Sequence, residues 1–196
     1  MIDHNLVLAS ASPRRKELLD DLGLDFTVEP SNLDESKITS DNPRDLTLKL
    51  AENKASKVAA SKKKGLILAA DTIVYHQNKI LEKPDSLKEA EEMLKFLRNK
   101  KHSVITGVCL LKKQQETIET LKRYDETLVE MRDYSSAEIR GYVDSREPMG
   151  KAGGYAIQGL GSLLVKKIEG SYFTVVGLPL HIVGEMMAGV GAGILD

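Results

Sequence analysis

At 196 residues, 41% hydrophobic and 29% charged, the chain is one large soluble domain or two small lobes, long enough to bury a core without covalent staples. A formal net charge of −1 excludes broad electrostatic binding of DNA or RNA and leaves room only for a local basic pocket; 5% aromatic residues offer no base-stacking platform. One cysteine, Cys109 in the apolar run Val108–Leu111, excludes an intrachain disulfide and a cysteine-built zinc site, and no segment nears the ~20 apolar residues of a membrane span, so the expectation is a cytoplasmic protein without membrane or nucleic-acid partners.

In chain order, Leu6 to Ala9 is a short apolar strand followed directly by Ser10-Ala11-Ser12-Pro13-Arg14-Arg15. Ser12 suits an N-cap and Pro13 the first helical position, where its missing N–H costs nothing. Leu18, Leu19 and Leu22 give the apolar stripe of a helix that Gly23 stops. Free amides and the helix dipole then face out of a turn holding Ser10 and Ser12, a ready anion site. Arg14 and Arg15 in the first turn oppose the dipole, a conflict that an anionic ligand would resolve; a plain capped helix with solvated arginines is the other reading.

Phe26-Thr27-Val28 reads as a second strand, and the polar stretch from Pro30 to Asn42, with Asp34-Glu35 inside it, as a flap. Asn42-Pro43-Arg44-Asp45 opens a helix running to about Ser61, with Leu50, Ala51, Ala55, Val58 and Ala59 on one face. Lys54 lies on or beside that face. It either snorkels or pairs with an anion at the edge of the core, while Lys57 and Lys62 to Lys64 read as solvated charges.

Leu66 to Ala70 is a buried-strand run that Asp71 interrupts, and the alternation Thr72-Ile73-Val74-Tyr75 carries the strand onward. Gln77-Asn78 is a turn, Ile80-Leu81 returns antiparallel, and Glu82-Lys83-Pro84 ends the hairpin. A buried unpaired carboxylate costs several kcal/mol, so Asp71 needs a cation, a metal or solvent unless it merely caps a turn. Capping boxes at Ser86–Glu89 and Ser135–Glu138 predict two further helices. Strands are expected over His102–Leu111 and Glu116–Met131, a hairpin over Ser162–Val176, and a last helix over Pro179–Met187. The glycine-rich Glu147–Gly159 stretch presents Lys151 and Gln158 and lets backbone approach a ligand, without Walker A spacing. The four histidines show no ligand spacing and read as structural or surface residues.

The candidates are cations (Arg14, Arg15, Lys54, Lys83, Lys151), acids (Glu35, Asp71, Glu82) and neutral polar groups (Thr72, Gln158). Several cations around a few carboxylates suit a polyphosphate with a divalent ion, magnesium being the typical oxygen-loving choice. Charge-assisted hydrogen bonds worth roughly 1.5–3 kcal/mol each would anchor a triphosphate.

Ser10-Ala11-Ser12-Pro13-Arg14-Arg15, Ala70-Asp71-Thr72-Ile73-Val74, Glu82-Lys83-Pro84 and Glu147 to Gly159, in this order and spacing, resemble the Maf-type nucleoside triphosphate pyrophosphatases. The resemblance runs from Leu6 to about Pro179 and implies a single Maf-like domain over residues 1–196. It also implies an α/β fold with a long bent mixed sheet, two lobes and a cleft between them, as in the inosine triphosphate pyrophosphatases. It implies hydrolysis between the α- and β-phosphates with magnesium or manganese, and a homodimer. By position it makes Asp71 the proton acceptor and gives Arg14, Thr72 and Gln158 the choice of substrate. Ser10, Ser12, Arg15, Lys54, Lys83 and Lys151 go to the phosphates, and Asp71, Glu35 and Glu82 to the metal. Arg14, Thr72 and Gln158 with Glu82-Lys83-Pro84 resemble the branch acting on dTTP and UTP; the sister branch, acting on 7-methylguanosine triphosphate, usually has Gly where this chain has Glu82. One departure is Gly150, where the family commonly has Asp, which leaves open a nucleotide-binding regulator of cell division with weak catalysis.

Overall fold

The computed structural model describes residues 5–195; His4 lies outside them. β1 (Leu6–Leu8), buried throughout, pairs in parallel with β2 (Phe26–Val28) and with β3 (Lys64–His76), Leu6 facing both Phe26 and Leu66. The connections are α1 (Pro13–Asp21) and α2 (Pro43–Ala59), the helical crossovers that parallel neighbours require. β4 (Lys79–Leu81) returns antiparallel on β3 through Gln77-Asn78, both left-handed at φ +49° and +59°, the twist-compatible hairpin turn. Then follow α3 (Leu87–Leu97), β5 (Lys101–Gln114), β6 (Thr117–Met131), α4 (Ser136–Asp144), β7 (Val165–Glu169), α5 (Tyr172–Val176) and α6 (Leu180–Gly189). The sheet is mixed and seven-stranded, in the order β2-β1-β3-β5-β6-β7 with β4 on β3, β6 and β7 being antiparallel.

The described chain forms two compact units. The first holds the residues up to Asp71, Thr106–Asp125 and those from Gly177; the second holds Thr72–Ile105 and Glu126–Val176. The division falls inside β3, between Asp71 and Thr72.

In the first unit, Val7, Ala9, Ile67, Ala69, Cys109 and Leu111 present one strand face to Ala51, Ala55, Val58 and Ala59 of α2. The small side chains of α2 let the helix lie close to the strands. The approach is close at Gly107 of β5, where an added Cβ would stand 2.5 Å from the backbone carbon of Thr47. Cys109 is part of this core, and burial pushes its thiol up to about 12.

In the second unit, Val74, Leu94, Leu97, Val104, Val129, Met131 and Ile139 surround Tyr134, whose hydroxyl donates to the Leu94 carbonyl at 2.8 Å. His102 is buried there with Nε2 2.7 Å from the Tyr155 hydroxyl and the two rings edge to face.

The caps follow the sequence closely. Asn42 accepts from the amides of Arg44 and Asp45, and Ser135 and Glu138 close a complete capping box. At Ser86 only half the box forms: its hydroxyl accepts from the Glu89 amide, but Glu89 reaches back to the amide of Asp85. The hairpin expected over Ser162–Val176 is absent. Gly159–Leu164 is a 3-10 turn, β7 pairs with β6, and Tyr172–Val176 is helical. Thr127 explains the turn away from the sheet. Its hydroxyl donates to the Ser171 carbonyl at 3.0 Å, and its side chain leaves no space for a Cβ at Gly170, which has φ +129°.

Two predictions follow from these packing facts. Gly107→Ala must push α2 off β5, because the obstacle is backbone, and is expected to cost about 2 kcal/mol or more, read as a lower urea midpoint. Burial, with a smaller contribution from His76, pushes the His102 imidazole down to about 3, whereas the unfolded chain titrates it near 6.5. Between those values the unfolded state binds more protons, so stability falls as pH falls, by about 1.4 kcal/mol per pH unit from this group. His102→Gln should flatten that slope in urea titrations between pH 6 and pH 4.

Candidate active site

The first unit holds seven of the candidate residues. The buried Ser10 lies two residues beyond the end of β1, and α1 starts three residues later with Pro13 at its first position. Ser12 is the N-cap but its hydroxyl caps no amide; instead its own N–H donates to Ser10 Oγ at 3.2 Å. The same oxygen accepts from Arg15 Nη1 at 3.2 Å. Arg15 also donates from Nη1 to the Ala70 carbonyl at 2.8 Å and from Nε to the Gly177 carbonyl at 2.7 Å. The conflict between this arginine and the helix dipole is thus settled inside the protein: the guanidinium collects carbonyl oxygens and holds the Ser10 turn to the strand that carries Asp71. Burial lowers its pKa, and the charges of Asp71 and Glu35 work the other way. Arg14, half-buried in the same turn, makes no ion pair with any described residue.

Lys54 resolves its ambiguity in favour of pairing. The residue is 7% exposed, and its position on the buried face of α2 sends the ammonium to Asp71 Oδ1 at 2.6 Å and to Glu35 Oε1 at 3.0 Å. Asp71 is 6% exposed on β3, whereas Glu35 sits half-exposed in the 3-10 turn Glu35–Lys37. Desolvating both members of such a pair is costly, and breaking it costs more, since one charge is then left buried alone. Two carboxylate oxygens converge here on a single point. Lys57 is exposed, as expected, and donates to the Asn32 carbonyl, whereas the half-buried Lys62 pairs with Glu29.

The second unit carries the rest. Thr72 follows Asp71 on β3 and is half-buried, while Glu82 and Lys83 are exposed after β4. The Glu82 carbonyl accepts from Gly153 N–H at 3.1 Å, which ties the glycine-rich loop to that hairpin; a Cβ at Gly153, at φ +69°, would strike Val74. Lys151 turns its ammonium to the backbone carbonyls of Glu147 and Met149. Gly150 is left-handed at φ +73° with open space where a Cβ would stand, so an aspartate there fits sterically and meets only the left-handed backbone penalty of about 1 kcal/mol. Gln158 is half-buried at the start of the 3-10 turn.

One organising residue was not singled out from the sequence. The Glu147 carboxylate accepts from the amides of Leu160 and Gly161 at 3.0 and 2.9 Å and from the Tyr142 hydroxyl at 3.1 Å. Burial works to raise its pKa, but these three donors outweigh it and the net shift is downward. Its amide partners lie 13 and 14 residues away, so no local spacing announces them; the paired glycines Gly159 and Gly161 were the available hint.

As a fit test for a metal, no three His, Cys, Asp or Glu residues cluster among the described residues. The Asp71–Glu35 pair offers two hard oxygen donors, the number with which magnesium is commonly held when a substrate's phosphates complete its shell.

Lys54→Met should strand the Asp71 charge and cost about 3–5 kcal/mol, whereas Lys54→Met with Asp71→Asn should recover a large part of that loss. Urea unfolding of the three variants checks it.

The chain is similar to known proteins over nearly its whole length. A family model described as Maf-like protein matches residues 5–190. A Syntrophomonas wolfei protein named dTTP/UTP pyrophosphatase is 46% identical over 96% of this chain and 98% of its own. Proteins of the same name from Desulforamulus reducens and Caldicellulosiruptor bescii are 42% and 43% identical, over 97% and 95% of this chain and 98% and 94% of theirs. Among solved structures, the Staphylococcus aureus Ham1 protein is similar over 66% of this chain and 72% of its own, at TM-score 0.43 and 16% identity.

Proposed function

The chain belongs to the Maf-like protein family, and on that premise we propose that it hydrolyses nucleoside triphosphates, dTTP and UTP foremost, to the nucleoside monophosphate and diphosphate. The carrying observation is the buried Lys54–Asp71 pair at 2.6 Å, with Glu35 on the same ammonium and Arg15 behind it. The base preference rests on the relatives' shared name and on Arg14, Thr72 and Gln158.

In this reading Asp71 accepts the proton of the attacking water, a role that needs a carboxylate held in a fixed position, which the 2.6 Å contact with Lys54 supports. Water adds to the α-phosphorus, the bond to the bridging oxygen breaks, and diphosphate leaves with that electron pair. The negative charge of the triphosphate and of the leaving diphosphate is met by Lys54, Lys83 and Lys151, with the hydroxyls of Ser10 and Ser12 as donors. Arg15 contributes by fixing that turn, since its guanidinium is already engaged with two carbonyls. Asp71 and Glu35, with Glu82 as a further acid, would hold a divalent cation, magnesium or manganese. Such an ion supplies charge neutralisation and phosphoryl polarisation when bound. Arg14, Thr72 and Gln158 select the base. The protein works on free nucleotides in the cytoplasm, as a homodimer, without nucleic-acid or membrane partners. The net charge of −1 supports the expectation that it binds no nucleic acid.

The test is product analysis with a panel of nucleoside triphosphates and magnesium or manganese. Diphosphate and the monophosphate should form from dTTP and UTP, and Asp71→Asn should lower kcat by about 10²–10⁴. Turnover confined to 7-methylguanosine triphosphate would overturn the base assignment. Undiminished turnover in Asp71→Asn would overturn the role of Asp71.

A further inference from the structure

Resting on the reading of Gln158 as a base-selecting residue, we propose that Glu147 and Tyr142 form a latch that sets the position of Gln158 and with it the choice of nucleotide. The two residues are positioning groups and touch no substrate themselves.

The geometry is a closed chain of hydrogen bonds. The Ala156 N–H donates to the Tyr142 hydroxyl at 3.1 Å, and that hydroxyl donates to Glu147 Oε1 at 3.1 Å. Gly161 N–H donates to the same Oε1 at 2.9 Å, and Leu160 N–H donates to Oε2 at 3.0 Å. Gln158 lies midway, two residues after Ala156 and two before Leu160. The backbone on both sides of it is therefore fastened to one pair of side chains, while its own amide makes no hydrogen bond to a described residue.

The loop is shaped around this pair. A Cβ at Gly159, which has φ +71°, would lie 2.6 Å from Glu147 Oε2. One at Gly161 would lie 2.3 Å from the Ala156 carbonyl and 2.6 Å from the Tyr142 hydroxyl. The glycines are thus needed for the carboxylate to reach the amides, which a loop merely covering the core would not require. The backbone carbonyl of Glu147 meanwhile receives the Lys151 ammonium. One residue therefore fixes both a phosphate candidate and a base-selecting candidate. A carboxylate accepting two amides and a phenol cannot be replaced by an amide of the same shape, because the NH₂ group of glutamine would face a donor.

The experiment compares kcat and KM for dTTP, UTP, CTP and GTP in the wild type, Glu147→Gln, Tyr142→Phe, Gln158→Ala and the double variant Glu147→Gln/Gln158→Ala. Glu147→Gln should lower the dTTP-over-CTP ratio of kcat/KM by about tenfold, mostly through KM, and Tyr142→Phe should lower it less. The double variant should be no less selective than Gln158→Ala alone, since Glu147 acts through Gln158. Unchanged selectivity in Glu147→Gln, or additive losses in the double variant, would overturn the proposal, whatever happens to thermal stability. If Gln158→Ala itself leaves selectivity intact, the specificity reading fails separately. The latch is then judged by amide exchange: faster exchange at Leu160 and Gly161 in Glu147→Gln upholds it, and unchanged exchange rejects it.

Discussion

The ion pair between Lys54 and Asp71 is the constraint on which the first unit depends. A carboxylate 6% exposed on a parallel strand has no cheap alternative to a cation, and a lysine 7% exposed on a packed helix has none to an anion. Each makes the other tolerable, and together they fix where α2 lies along β3. The alanines of α2 and the glycine of β5 then follow as requirements, because the helix must come close enough for a lysine to deliver its ammonium to 2.6 Å. Glu35 adds a second acid to the same ammonium from a polar segment, so the flap is joined to the site by charge and not by an apolar core.

Arg15 shows how a residue of the right type takes a supporting place. Its guanidinium bridges carbonyls 55 and 162 positions away in the chain, and so ties the Ser10 turn, the Asp71 strand and the entry to α6 into one body. The first unit is therefore arranged before any nucleotide arrives, with Arg14 beside it making no ion pair to a described residue. Such preorganisation is what electrostatic catalysis of phosphoryl transfer requires, since charge aimed in advance costs no rearrangement during the reaction. The second unit uses another device, a loop held by a carboxylate and a phenol, suited to presenting an amide in a fixed attitude.

Much of this was legible in the residues. The Asn42 cap, the Ser135–Glu138 box, the second strand at Phe26–Val28 and the Gln77-Asn78 turn depend on neighbours within four positions, where local chemistry decides. Lys54 was readable because helical spacing put a charge on a face that must be covered. Asp71 was readable because an acid breaks a buried run. Other features were hidden by distance in the chain. Nothing local distinguishes the engaged Arg15 from its neighbour Arg14, and the partners of Glu147 come from a loop that spacing does not fold. Ser171–Val176 is rich in aromatic and β-branched residues like a strand, yet Thr127 holds the Ser171 carbonyl and the chain beyond it is helical. In each case a long-range hydrogen bond overrode a correct local tendency.

The most direct test of the reaction assigned to this site is turnover of dTTP in ¹⁸O-labelled water, with mass analysis of both products. Attack at the α-phosphorus predicts label in thymidine monophosphate and unlabelled diphosphate. Label in the diphosphate would mean attack on the β-phosphorus, and release of labelled orthophosphate with a nucleoside diphosphate would mean attack at the far end of the chain. Either of those results would contradict the account.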